Sequence, residues 1–333
     1  MPVTTRAVQF ARLGNPAEVV EIVDVVQPPL GPGDARIDIE AAPINPSHLM
    51  TLRGLYGIQP QLPATPGAEG VGTIVAVGAE VANVRVGDRV MLPPYCGAWQ
   101  QQVTVPADRI EVTYPAGGDP VQLSMLMANP PTAHLLLSTY GDLGPGDWVI
   151  QNAANSAVGQ YLMRLAKIRG IRTVNVMRRP GLESLVAECG GDVCVVDGDD
   201  LAERVREATG GAEIRVGIDC IAGRATARIA ACLAEHGTVA NYGRLSEEPC
   251  ILPADETIFR DISLRGVWFT RWRTRQSTPA ERKAVYDELA RHVIDGTLSA
   301  HVEATYPLDR IKDAVKHAGK GGRIGKIIVL PNA

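Results

Sequence analysis

Trp148-Val149-Ile150-Gln151-Asn152-Ala153-Ala154-Asn155-Ser156-Ala157-Val158-Gly159 is where the reading of this chain turns. An apolar strand runs into a turn of small and amide residues, and a helical pattern follows through Arg169. A helix N-terminus offers unpaired N–H groups and a partial positive charge, which suit a pyrophosphate. Only Gly159 remains of a glycine-rich phosphate fingerprint. Ala and Ser residues keep the turn small, Asn155 and Ser156 add side-chain hydrogen bonding, and Asn152, Ala157 and Val158 are expected beside them at the cofactor. As a bare pattern this is also what an ordinary polar helix cap looks like.

The next strand sharpens the reading. Thr173–Met177 ends in Arg178-Arg179-Pro180, where a site for the unphosphorylated dinucleotide usually carries an acid for the ribose hydroxyls. Two guanidinium groups in that place fit a 2′-phosphate, so NADPH is the expected cofactor.

Outward from this turn, strands and helices alternate. Cys194–Val196, Val216–Ile221 and Thr238–Tyr242 read as strands, with helices Leu182–Cys189, Leu201–Ala208 and Thr226–Leu233 between them. Their continuous apolar runs suit parallel strands covered on both faces, so the fold class is α/β with a doubly wound sheet. Upstream, a helix is expected over Leu123–Leu137. Before that the chain is β-rich: Ala35–Ile39, Gly70–Val77, Asp88–Leu92 and Gln101–Val105 are short runs punctuated by Gly and Pro. A long helix spans about Pro279–Asp295, and Ile324–Leu330 returns to strand character. That final strand is expected to rejoin the β-rich part, giving domains 1–122 with 297–333, and 123–296.

The chain has 333 residues, more than one core usually serves, so two domains are expected. The net charge of −4 is spread among mixed acids and bases, which argues against nucleic acid and anionic membrane partners. No stretch approaches the roughly 20 apolar residues of a membrane span. Met1-Pro2-Val3-Thr4 lacks the basic start and apolar run of a signal peptide, so a cytoplasmic location is expected. Six scattered cysteines have no C-x-x-C spacing and read as buried or incidental thiols.

Asn152–Gly159 and Asn175–Pro180 resemble the mitochondrial-type 2-enoyl thioester reductases, zinc-independent members of the medium-chain dehydrogenase/reductase superfamily. Ala128-Asn129-Pro130-Pro131-Thr132-Ala133 is similar to that family's Asn-Pro-x-Thr-Ala helix start. Gly217–Gly223, Asn241-Tyr242-Gly243 and Leu264–Trp272 extend the likeness over nearly the whole chain. The resemblance implies a GroES-like catalytic domain, a Rossmann cofactor domain, an active cleft between them, and a homodimer. It places Tyr242, Gly243, Trp268 and Phe269 at the cofactor and Trp272 at the acyl substrate, the aromatics being expected in a late strand. Lys326 either reaches the cofactor phosphates or sits at the surface. Arg244 departs from the family's second glycine, and either obstructs a long acyl chain or binds an anionic head group.

Zinc-bearing relatives use a Cys near residue 45 and a His immediately before a Glu. Here the stretches read Ile44-Asn45-Pro46-Ser47-His48 and Gly67-Ala68-Glu69, so no catalytic metal is expected. Without one, reduction of a conjugated double bond needs hydride at the β carbon and a proton at the α carbon. A phenol stays protonated at neutral pH and suits that task. Tyr56 matches the family's catalytic tyrosine, with Asn45 expected to line the cleft and position the nicotinamide or the phenol. His134, His236, His292, His301 and His317 read as structural or exposed, without evident partners. The leading expectation is an enoyl thioester reductase acting on CoA or acyl-carrier-protein substrates. A quinone or enone oxidoreductase of the same superfamily is the alternative, and an NADPH-holding sensor without turnover is the third.

Overall fold

The computed structural model describes residues 4–333. The Met1–Val3 start lies outside them. The chain forms two compact units, one running to Ala128 and resuming at Pro279–Ala333, the other Asn129–Thr278.

The first unit is built around the long strand Asp34–Ile44, which pairs antiparallel with Val71–Val77, Gln102–Pro106 and Lys326–Leu330. Its side chains alternate in burial, then become continuously buried over Ala41–Ile44, where the final strand covers it. Ile37, Ile39, Ile44, Trp99 and Val329 belong to one apolar core there. Each such side chain contributes roughly 1.5–3 kcal/mol when fully buried.

The second unit holds a six-stranded parallel sheet. Its order is Ser263–Gly266, Thr238–Asn241, Ile214–Asp219, Trp148–Gln151, Arg172–Met177, Val193–Val196. Chain order reverses between Trp148–Gln151 and Ile214–Asp219, the switch point at which such sheets bind ligands beyond their carboxyl ends. Trp148, Ile150, Val174, Val176 and Val239 form the core. Covered on both faces, these strands could be read from sequence as unbroken apolar runs.

Three expectations change. The helix expected over Leu123–Leu137 is interrupted: Pro120–Leu123 is one turn, and a new helix spans Asn129–Ser138. Pro130 and Pro131 lack N–H groups, so they fit only a first helical turn. The aromatics after Gly266 are not in a strand. Phe269–Arg271 is a helical turn continued by a π-helical turn, Trp272–Gln276. Finally, the division expected at 122/123 and 296/297 falls at 128/129 and 278/279. The Pro279–Ile294 helix packs in the first unit, where buried Tyr286 donates to Met127 O at 3.1 Å and Arg282 pairs with Glu111 at 3.2 Å.

Candidate active site

In the second unit, the Ala157–Ile168 helix starts at Ser156, whose Oγ accepts from Gly159 N at 3.1 Å. A Cβ at Gly159 would lie 2.5 Å from Ala154 O and 2.7 Å from Ala154 Cα. The surviving glycine is therefore the one this close turn cannot replace, and it leaves the first amides of the helix open to an anion. Asn155 caps the turn from its carbonyl, which accepts from Gln160 Nε2 at 2.9 Å. Arg178 and Arg179 are exposed directly after the neighbouring strand.

Asn152 behaves differently from the expectation that it faces a cofactor. Its side chain is buried, donating to Asp219 Oδ1 at 2.6 Å and accepting from Cys220 N at 2.8 Å. Asp219 was not singled out in the sequence, yet it is the hub of the switch point. Oδ1 also accepts from Ile221 N at 2.9 Å and Ala222 N at 3.1 Å. Oδ2 accepts from Thr226 Oγ1 at 2.7 Å and Asn241 Nδ2 at 3.2 Å. The ends of three strands are thereby tied to one carboxylate. The only sequence signal was an acid inside an apolar strand.

Tyr242 follows from this tie, its N–H donating to Asp219 O at 2.9 Å. Its hydroxyl is buried beside Cys220 and Ser156. Burial, then the neighbouring thiol, hold the phenol well above its ordinary pKa. Gly243 closes on Cys220, where a Cβ would lie 2.6 Å from its O and Sγ. Arg244 is exposed, Trp268 is 37% exposed, and Phe269 and Trp272 stack with ring centroids 5.8 Å apart. The turn and the two arginines fit a phosphorylated dinucleotide.

In the first unit, Tyr56 is half-buried in the loop after the Pro46–Leu52 helix. Its carbonyl accepts from Gln59 Nε2 at 3.0 Å, and Leu55 N donates to Met50 O at 2.8 Å. Asn45 and Lys326 are both buried. Asn45 is buried, its Nδ2 donating to Glu69 and its Oδ1 accepting from Lys326 Nζ. Lys326 is 6% exposed, so its ammonium is not at the surface but engaged by Asn45.

His48 sits beside this group. Burial first, then the charge of Lys326, push its pKa down to about 3, so the ring is neutral. Asn45 N lies 3.2 Å from Nδ1 and Ala68 N 3.1 Å from Nε2. A neutral imidazole accepts at one nitrogen and carries a proton on the other. Two facing N–H groups leave little room for a metal. The remaining oxygen of Glu69 accepts from Ala128 N at 2.9 Å. Among the described residues no three His, Cys, Asp or Glu side chains gather as ligands. The first unit therefore does not fit a catalytic zinc.

Of the histidines read as lacking partners, several have them. His317 lies between Tyr306 Oη at 2.9 Å and Glu303 at 2.8 Å, and His236 pairs with Asp261 at 3.0 Å. His134 faces Arg169 at 2.7 Å. All six cysteines are free thiols.

Two family models match: an alcohol dehydrogenase GroES-like domain over residues 31–115, and a zinc-binding dehydrogenase over 157–291. The mitochondrial enoyl-[acyl-carrier-protein] reductase of Caenorhabditis elegans is 35% identical over 89% of this chain and 86% of its own length. The chain belongs to the medium-chain dehydrogenase/reductase superfamily. Within that superfamily it is an oxidoreductase akin to the mitochondrial enoyl reductases. A putative NADPH:quinone reductase from Bacillus thuringiensis superposes with a TM-score of 0.90 at 27% identity, covering 98% of this chain and 99% of that one. The mitochondrial 2-enoyl thioester reductase heterodimer from Candida tropicalis gives 0.88 at 23% identity over 98% and 100%, which speaks to fold alone. The zinc named in the second family description is not matched by a ligand set among the described residues.

Proposed function

We propose that this protein reduces the 2,3 double bond of an enoyl thioester with NADPH. The observation that carries the reading is the 35% identity, over most of both chains, to an enoyl-[acyl-carrier-protein] reductase. In this reading the amides after Ser156 and the Tyr242 hydroxyl hold the pyrophosphate, and Arg178 and Arg179 take the 2′-phosphate. Bound there, NADPH supplies the hydride for the β carbon. Tyr56 gives its phenolic proton to the α carbon, the thioester carbonyl having drawn off the electron pair of the double bond. Trp268, Phe269 and Trp272 supply apolar surface for nicotinamide and acyl chain.

Acyl-CoA and acyl-carrier-protein thioesters are both in scope as substrates. A homodimer is part of the proposal. It is supported by the outer edge of Ser263–Gly266, which pairs with no strand among the described residues, and by Ile258 and Phe259, which are 68% and 74% exposed in the second unit. Exposed edges and large apolar side chains together favour a protein partner. A second reading, reduction of quinones or enones, is favoured by the superposition on the NADPH:quinone reductase and by Arg244, which replaces the second glycine of the enoyl reductase pattern.

The test is a parallel assay of crotonyl-CoA, a long-chain enoyl-CoA and a quinone with NADPH, for the wild type and Tyr56→Phe. Turnover of the enoyl thioesters is expected, with Tyr56→Phe losing about 10²–10⁴-fold in kcat while still binding NADPH. Quinone turnover alone supports the second reading. Binding of NADPH without oxidation across the panel reduces the protein to a sensor.

A further inference from the structure

The buried trio of Glu69, Asn45 and Lys326 is not used by any step above. Glu69 is 0% exposed, Lys326 6% and Asn45 7%. Burying a carboxylate and an ammonium is costly, and a well-packed apolar trio is often as stable or more so. We propose that Lys326 is a positioning residue for the reduction, fixing Asn45 and through it the loop that carries Tyr56.

The argument begins with the amide. Asn45 Oδ1 faces the ammonium of Lys326 and its Nδ2 faces the carboxylate of Glu69. Turning the amide over would set NH₂ against a cation and oxygen against an anion. The two charges thus hold the side chain in a single orientation, which neutral partners would enforce less strictly.

Asn45 is also the N-cap of the helix that leads to Tyr56. Its carbonyl accepts from His48 N at 3.0 Å, and its N–H points to His48 Nδ1. The helix is only seven residues long, Pro46–Leu52, so orientation at its start carries to its end. There Arg53 N donates to Leu49 O at 3.1 Å, Leu55 N donates to Met50 O, and Gly14 N donates to Leu52 O at 2.9 Å. Tyr56 is the next residue after Leu55.

Sheet register explains how a lysine 281 residues away arrives at this helix start. Ile328 faces Pro43 and Ile327 faces Ile44, so one further step sets Lys326 against Asn45. Lys326 N also donates to His301 O at 2.8 Å, which fixes the strand at its first residue.

This role rests on Tyr56 being the proton donor in the proposed reaction, and the experiment separates the two ideas. Lys326→Met alone would strand the Glu69 carboxylate, so the informative variant is Glu69→Gln/Lys326→Met, in which neither charge is left alone. The double variant is expected to fold and to bind NADPH as the wild type does. Its kcat with crotonyl-CoA should fall about a hundredfold, as a small misplacement of a reacting group does, with little change in KM. Hydrogen exchange should rise in residues 46–57 and not elsewhere in the unit. Lys326→Arg, which keeps a cationic donor, should recover most of the rate. Wild-type kcat and wild-type exchange in the double variant overturn the proposal. So does exchange that rises throughout the unit, since that is a loss of stability alone. A wild type inert toward crotonyl-CoA defeats the functional reading instead, and the exchange pattern then decides the positioning role by itself.

Discussion

Glu69 and Asp219 are both fully buried, and each lies in a different unit. Glu69 shares its site with a cation, Asn45 standing between them. Asp219 is held by five uncharged donors: two side-chain amides, one hydroxyl and two backbone N–H groups. A charge balanced by an opposite charge can be deleted in step with its partner. A charge balanced by surrounding dipoles cannot, because every donor left behind needs an acceptor. The first arrangement can be neutralised as a pair, whereas the second is bound into the turns at the ends of three strands.

The sharpest way to break this contrast is to remove each acid. Asp219→Leu abandons five buried donors and is expected to cost about 3–5 kcal/mol or to prevent folding. Glu69→Gln/Lys326→Met is expected to cost at most about 2 kcal/mol in the same urea titration. The reverse ranking would show that the dipole-held acid is not the stiffer of the two.

Acid should expose the first unit before the second through His48. Its folded pKa of about 3 is below the unfolded value of 6.5, so the unfolded chain takes up the proton first. Stability from this group is fully present above pH 6.5 and is lost as pH falls from there to about 3. His48→Gln, which cannot titrate, should flatten that part of a melting-temperature profile. An unchanged profile would mean that the ring is protonated in the native state as easily as in water.

Smaller effects test the ligand-facing edge of the second unit. Replacing Arg178 and Arg179 by Ala should weaken NADPH binding about tenfold and leave NADH unaffected in fluorescence titrations. Ser156→Ala removes a helix cap and should lower stability by about 1 kcal/mol. A variant losing NADH and NADPH affinity equally would move the two arginines away from the 2′-phosphate.

The sheet of the second unit was legible because each strand, covered on both sides, is a short unbroken apolar run. The strand at Trp148–Gln151 lies where the sequence placed it. The strand–turn–helix proposed to hold the cofactor phosphates was legible because its signals are local: a cap, a small residue and a helix start within a few positions. The partners of Asn152 and Asn45, two side chains expected near ligands, were not. Each asparagine is claimed by a charged residue far along the chain, Asp219 for one, Glu69 and Lys326 for the other.

The same distinction runs through the molecule. Local patterning of apolar, glycine and capping residues determined the α/β class and the strand–turn–helix at residues 148–168, and the residues near 45 and 68 lack the usual metal-ligand pair. Register and sheet order decided which polar side chains are spent on holding strands together. Those pairings depend on segments up to 281 residues apart, so their energy exists only once the sheets have closed.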